Sequence, residues 1–460
     1  GHLLIKATNS ILLSGTWPQH TGASILSNST YLDANAGNAG QIEIETHDLT
    51  ILDGGSIQSV SGTGTSDKID IKCSGDITLS GGDEFGMPSV ITSRNLGILD
   101  NSGDGGDIII EANNLYIKEG GSINSLTEGP GDAGKIIIST NESILDDYSS
   151  IDSSSYGSGD AGNIQINTKD LLLTNYSMIT SSAYMEGAAG NISILKSDRT
   201  ILNNSLIFSY LEENANNIEN CGNINIDTNY LYLKEGSVVY TSTYGGCNAG
   251  NISIKVKELL ELSGWSPFQD TDTNMYNDFS YISSSSFGTN AKGNAGSIDL
   301  YSKIIRIKDG GKIWSKTYSL GNAGNINIYD AELLHLFGYD KNNASCIIST
   351  GSNFNSGNAG NINISAKEIR LEDATQLDTS ILGSGNAGNI IIQNANKIVL
   401  GNERTSESGK NKRCSITSQS ASKEAGAGKA GNISIFSENL EVKYASYIFA
   451  GSRGGGDGGD

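Results

Sequence analysis

The sequence predicts an all-β protein, a parallel β-helix of about fourteen rungs with loop insertions on alternate rungs. Three observations predict it. The first is an octapeptide, Gly-Asn-Ala-Gly-Asn-Ile-x-Ile, intact from Gly321 to Ile328 and repeated from Cys247 to Ile254 with cysteine in place of the first glycine. Its second glycine, or a stand-in, recurs along the whole chain. The basic step is 28 residues, as between Gly134, Gly162 and Gly190, and longer steps carry local insertions. A fixed period of this size means stacked supersecondary units and overrides a length-based guess of three globular domains.

The second observation is the content of each unit. After Gly222 come Ile224 and Ile226, then Leu231 and Leu233, then Val239, each apolar residue separated from the next in its run by a polar or aromatic one. Such period-2 runs are strands with one buried face. Ile164, Ile166, Leu171, Leu173 and Ile179 repeat the pattern, as do Ile298, Leu300, Ile305, Ile307 and Ile313. The third observation is how short the runs are. Their backbone groups are best satisfied by coiling the chain, so that each strand pairs with its equivalent one rung later. At ~4.7–4.8 Å per rung, fourteen rungs would extend roughly 65 Å.

The remaining elements follow from this frame. Asn163, Asn191, Asn223, Asn251, Asn325, Asn361, Asn389 and Asn432 all follow the turn glycine. Stacked one above another, they are expected to form an amide ladder along the axis. Asn191, Asn251 and Asn432 also spell glycosylation acceptors, but an asparagine that opens a half-buried strand serves the ladder better. The preceding glycines are expected to supply positive φ at a tight corner. Serine-rich runs such as Ile282 to Ser286 are expected to point small hydroxyls inward at a narrow corner.

Short and long rungs alternate. Short ones turn tightly, as at Lys118-Glu119-Gly120-Gly121; long ones carry Leu-Ser-Gly and then an excursion, as after Leu13, Leu79 and Leu262. The module is therefore a pair of rungs, with pairs starting near residues 1, 67, 134, 190, 250, 324 and 388. The sequence opens and closes inside repeats, so residues 1–460 are expected to be one continuous β-helix segment internal to a longer chain.

At this point the residues resemble a known family, the large repetitive exoproteins of the filamentous haemagglutinin type, especially cyanobacterial-style members. The octapeptide, the Leu-x-Leu-x-x-Gly-x-x-Ile-x-Ser short rung and the Leu-Ser-Gly long rung carry the resemblance across the whole segment. It implies a right-handed helix, two-partner secretion across an outer membrane, an extracellular location at the cell surface, and a part in adhesion, aggregation or coat formation. It supplies no catalytic motif.

Composition agrees with a soluble, extended body. Acidic residues exceed basic ones by 51 − 30, a net charge of −21, which argues against nucleic acid and anionic membranes as partners. No apolar run reaches the ~18 residues of a membrane span. Five cysteines give no disulfide framework; most are expected to be buried. Cys221 and Cys247 sit in the glycine turn one rung apart, so a disulfide between them is geometrically allowed.

His2, His20, His47 and His335 are scattered, make no metal-ligand spacing and are expected to be solvated. The outward acids Glu43, Asp70 and Asp299 have Ile109, Gln165, Ser193 and Asn225 at equivalent positions, so no acid–base groove is expected. No cofactor is expected; loose Ca²⁺ bridging of the acidic surface is the one metal role the composition allows.

The excursions hold the most functional information. Trp17, Pro18, Phe85, Trp265, Phe268 and Tyr276 lie in them and leave the helix at one corner. Two readings stay open: the aromatics pack the loops down, or they form a lateral interface. The functional expectation is a non-enzymatic, self-associating fibre segment of a secreted surface protein, touching further copies, surface glycans or neighbouring cells. A passive stalk for a distal binding or toxin domain, and third a polysaccharide lyase or hydrolase, are the alternatives.

Overall fold

A computed structural model of the chain describes residues 1–15, 22–31, 37–212, 221–265, 279–288, 292–318, 320–339, 345–352, 357–402, 413–422, 427–453 and 457–459. The chain divides into two compact units, Gly1–Asn225 and Ile226–Asp460. Each is a parallel β-solenoid, and the described residues form no helix.

In the first unit the opening strands of successive rungs stack in register. Ile42, Ile69, Ile108, Ile136, Ile164 and Ile192 follow one another as paired residues, all pointing inward and buried. The closing strands stack separately: Ile25, Ile57, Ile91, Ile123, Ile151, Ile179 and Ile207 pair in series. The second unit repeats this with Ile252, Ile298, Ile326, Ile362, Ile390 and Ile433, and with Ile282, Ile313, Ile348, Leu377 and Ile416. Each fully buried isoleucine contributes about 1.5–3 kcal/mol, so the column of identical side chains is both the register signal and the core.

The three strands expected per rung become two sheets. The first two runs share one sheet, and in the second unit they fuse into single strands such as Ile252–Ser263 and Ile298–Lys308. An extra residue marks the old boundary on alternate rungs, between Val256 and Leu259 and again between Tyr329 and Leu333. The extra residue bends the strand without interrupting the ladder for long, so one sheet turns the corner.

The turn glycines have a different cause from the one expected. None of Gly134, Gly162, Gly190, Gly296, Gly324 or Gly388 has positive φ. They are glycine because the rungs nearly touch there: a Cβ on Gly162 would lie 2.1 Å from the Gly134 carbonyl oxygen, and one on Gly296 the same distance from that of Gly250. Positive φ belongs to the second corner, where Gly15, Gly81, Gly264, Gly338 and Gly401 launch the long-rung excursions.

Close approach would strand backbone groups inside the corner, and a hydroxyl on the closing strand satisfies them. Ser181 Oγ donates to the Gly162 carbonyl at 2.6 Å and accepts the Gly190 N–H at 3.1 Å, bridging two rungs. Ser125 bridges Gly106 and Gly134 in the same way. In the second unit Ser284, Ser315 and Ser418 do the same. Thr241 and Thr379 at this position each donate at 2.6 Å to a turn glycine. The inward hydroxyls expected from the serine runs are these.

Two predictions follow the same corner. Ser315→Ala leaves the Gly296 carbonyl and Gly324 N–H unpaired and should cost about 2 kcal/mol or more, whereas Ser315→Thr, which keeps one hydroxyl bond as at Thr241, should lose less; urea unfolding distinguishes them. Gly296→Ala should destabilise by about 1–3 kcal/mol, while Gly246→Ala, where an added Cβ meets nothing within 4 Å, should leave the urea midpoint unchanged.

Candidate interaction surface

The long-rung excursions leave at the positive-φ glycine corner, and three of their bases are antiparallel bridges: Gly82 with Pro88, Trp265 with Phe279, and Tyr339 with Ser345. The 81–89 excursion is complete. Asp83 Oδ1 accepts the N–H groups of Phe85 and Met87 at 2.9 and 2.8 Å, and Gly86 takes φ +80° to close the turn. Phe85 is thereby presented outward, 63 % exposed, beside an exposed Met87. Trp265 is only half-exposed and sits at the base of its loop. Trp17, Pro18, Phe268 and Tyr276 lie outside the described residues. The two described aromatics thus divide: Phe85 is displayed at the surface, and Trp265 is tied to the bridge.

A more regular aromatic feature comes from register. In-register parallel strands hold equivalent side chains one strand spacing apart, which is also the spacing of stacked rings. Tyr156 stacks on Tyr184 at 4.8 Å and Tyr148 on Tyr176 at 5.1 Å in the first unit. In the second, Tyr244, Phe287 and Tyr318 form a column at 4.9 Å per step, and Tyr281 stacks on Trp314 at 4.8 Å. Lys312 Nζ lies 3.1 Å from the Phe279 ring centroid and Lys316 Nζ 5.5 Å from that of Trp314. Sequence inspection passed over these columns, although Tyr148 and Tyr176, and Tyr156 and Tyr184, are each one 28-residue period apart.

The asparagine ladder forms, with a different principal bond. Asn191 N–H donates to Asn163 Oδ1 at 2.8 Å, and Asn223 N–H to Asn191 Oδ1 at 2.8 Å; the side-chain amides follow at 2.9 and 3.2 Å. In the second unit Asn251 Oδ1 accepts from Ser297 N–H, whose hydroxyl accepts from Asn325 N–H. Asn361, Asn389 and Asn432 each donate a backbone N–H to the asparagine Oδ1 one rung back at 2.8 Å. The side chain works chiefly as a backbone acceptor, so serine can stand in. A second ladder runs beside it through Asn248, Asn294, Asn322, Asn358 and Asn386. Asp104, Asp132 and Asp160 form its counterpart in the first unit, each accepting a backbone N–H one rung on. The first asparagine of Gly-Asn-Ala-Gly and the aspartate of Gly-Asp-Ala-Gly were its signal.

Two expectations change. The Cys221–Cys247 disulfide is not formed: both are buried thiols, filling the close-packed glycine corner, and the Cys247 sulfur lies 3.2 Å from the Thr243 hydroxyl. All five cysteines are buried, as expected for most of them. Burial pushes the Cys73 and Cys346 thiols up to about 12. His335 is not solvated: its ring stacks on Phe337 at 4.2 Å and faces Glu372 at 3.4 Å, and burial lowers its pKa. His2 faces Glu43 and His47 meets the Ser74 hydroxyl, while His20 lies outside the described residues.

The acids stand as the register required. Glu43, Asp70, Ile109, Ile137, Gln165 and Ser193 form one outward column, with Asp70 paired to Lys68 at 2.6 Å. Among the described residues no three His, Cys, Asp or Glu side chains come together as metal ligands. With this geometry compared against known protein families, curated proteins and solved structures, nothing matches the chain.

One carboxyl is out of its ordinary range. Asp152 is covered on the closing strand of the first unit, and burial raises its pKa to about 6, against the opposing hydrogen bond from Ser154 Oγ at 2.5 Å. A carboxyl whose folded pKa is raised contributes stability that is full below the unfolded value near ~4 and is lost as pH rises through the folded one. Asp152→Asn should therefore match wild type at pH ~4 and exceed it by about 2 kcal/mol at pH 8, read by thermal unfolding at the two pH values.

Proposed function

We propose that the chain is a non-enzymatic segment of an extracellular, self-associating structural and adhesive fibre, in the manner of the filamentous haemagglutinin-type exoproteins it resembles. The observation that carries this reading is where the repeated residues spend their chemistry. The isoleucine columns, turn glycines, bridging hydroxyls, asparagine ladders and stacked rings all act between one rung and the next. A chain built this way gains length by repetition at nearly constant energy per rung, which suits a fibre. The exposed Phe85 and Met87 on their rigid turn supply an apolar contact for a neighbouring copy.

Electron microscopy of the native particle tests it. Filaments with a continuous axial repeat near ~4.8 Å and lateral contacts are expected; separate particles ending in a globular head would make the segment a stalk instead. Phe85→Ala with Met87→Ala should reduce lateral bundling while the β-sheet circular dichroism stays unchanged.

A further inference from the structure

The bulges of the second unit create a groove as well as a corner. It has a volume of about 520 Å³ and is lined by Lys255, Lys257, Tyr301, Tyr329, Lys303 and Lys367, with Asp227 and Asp330 also on its wall. A pocket of ~300–1,000 Å³ is the usual size for a small ligand. The register shifts that open it recur rung after rung, between Val256 and Leu259, Tyr301 and Ile304, Ile328 and Ala331, and Ser365 and Glu368.

Its polar groups are unevenly committed. Lys303 pairs with Glu258 at 3.5 Å and Lys367 with Glu332 at 3.8 Å. Lys255 and Lys257 are exposed, two residues apart on either side of buried Val256, and neither has a carboxylate partner among the described residues. Two neighbouring ammonium groups thus line the groove. Beside them Tyr301 stacks on Tyr329 at 4.3 Å, with Lys255 Nζ 5.9 Å from the Tyr301 ring centroid. Both rings stay partly open to solvent, at 39 % and 37 %. Tyr329 donates its hydroxyl to Asp299 at 3.2 Å, and burial, with Asp299 next, pushes it up to about 12, so the platform is a neutral phenol.

We propose that this groove binds a carboxylate-bearing saccharide, as a uronic acid residue of a glycan is. The lysine pair takes the carboxylate through charge-assisted hydrogen bonds, the tyrosine pair takes the apolar face of the sugar ring, and Asp227 and Asp330 accept its hydroxyls. The two aspartates favour a ligand that brings hydroxyl donors beside its carboxylate, which a phosphate backbone does not. The site does not require the chain to assemble: binding is measured on dispersed chains, so its failure leaves the fibre reading standing, and absent filaments leave the site standing.

Isothermal titration of the full chain with tetragalacturonate is the test. Saturable binding that weakens with added salt is expected, and Lys255→Ala with Lys257→Ala should weaken it by about tenfold or more. Tyr301→Ala and full methyl esterification of the tetrasaccharide should each weaken it too. Unchanged circular dichroism of the variants would tie the loss to the groove. No saturable binding to the wild-type chain, equal affinity in the double lysine variant, or tighter binding of an oligothymidylate of similar length would overturn the proposal.

Discussion

A buried hydroxyl bridging two rungs is the contact on which the rest of the structure depends. Turn glycines approach the rung below so closely that their carbonyl and N–H groups leave water. An unpaired buried backbone group costs about 1–3 kcal/mol, and this cost would recur at every rung. Ser181, between Gly162 and Gly190, shows the solution: one side chain donates downward and accepts from above. At Thr241 and Thr379 the hydroxyl instead makes a single bond, to the carbonyl of the glycine nine residues ahead. The same bond pins the closing strand to the start of the next rung, and this holds the isoleucine columns in register.

Register then acts as a multiplier. Once equivalent residues sit one strand spacing apart, any side chain repeated at the period interacts with its own kind. Isoleucines pack, asparagines accept each other's backbone N–H groups, and tyrosines stack at 4.3–5.1 Å. Like charges are disfavoured by this arrangement, and some outward columns mix signs: Arg199 faces Asp170 at 2.6 Å and Lys308 faces Glu261 at 3.0 Å across rungs. Such exposed pairs each contribute little to stability. Carboxylates that do stack, as Asp104, Asp132 and Asp160, each accept a backbone N–H from the next rung.

Surface chemistry on this scaffold varies through departures from the repeat. An excursion adds residues at the second corner, where a positive-φ glycine such as Gly81 releases the chain and a short bridge returns it. A bulge adds one residue at another corner and opens a groove on the outside while the inside stays filled by Val256, Ser302, Ala331 and Ala366. Both devices leave the isoleucine columns intact, so surface chemistry varies without cost to the core.

The sequence by itself determined the parallel β-solenoid, the rung boundaries, the inward residues and the polar ladder beside the turn. All of these repeat, and a period in sequence becomes a stack in space for any chain that coils. It misled on the turn glycine, because close approach and positive φ both select glycine and only backbone geometry separates them. It misled on Cys221 and Cys247, whose rung spacing allowed a bond that side-chain packing directs elsewhere. The split between Phe85 and Trp265, the burial of Asp152 and His335, and the lysine–tyrosine groove were decided by tertiary structure alone. Each depends on which neighbours from other rungs cover a side chain, and that covering is set by bulges and insertions that break the period.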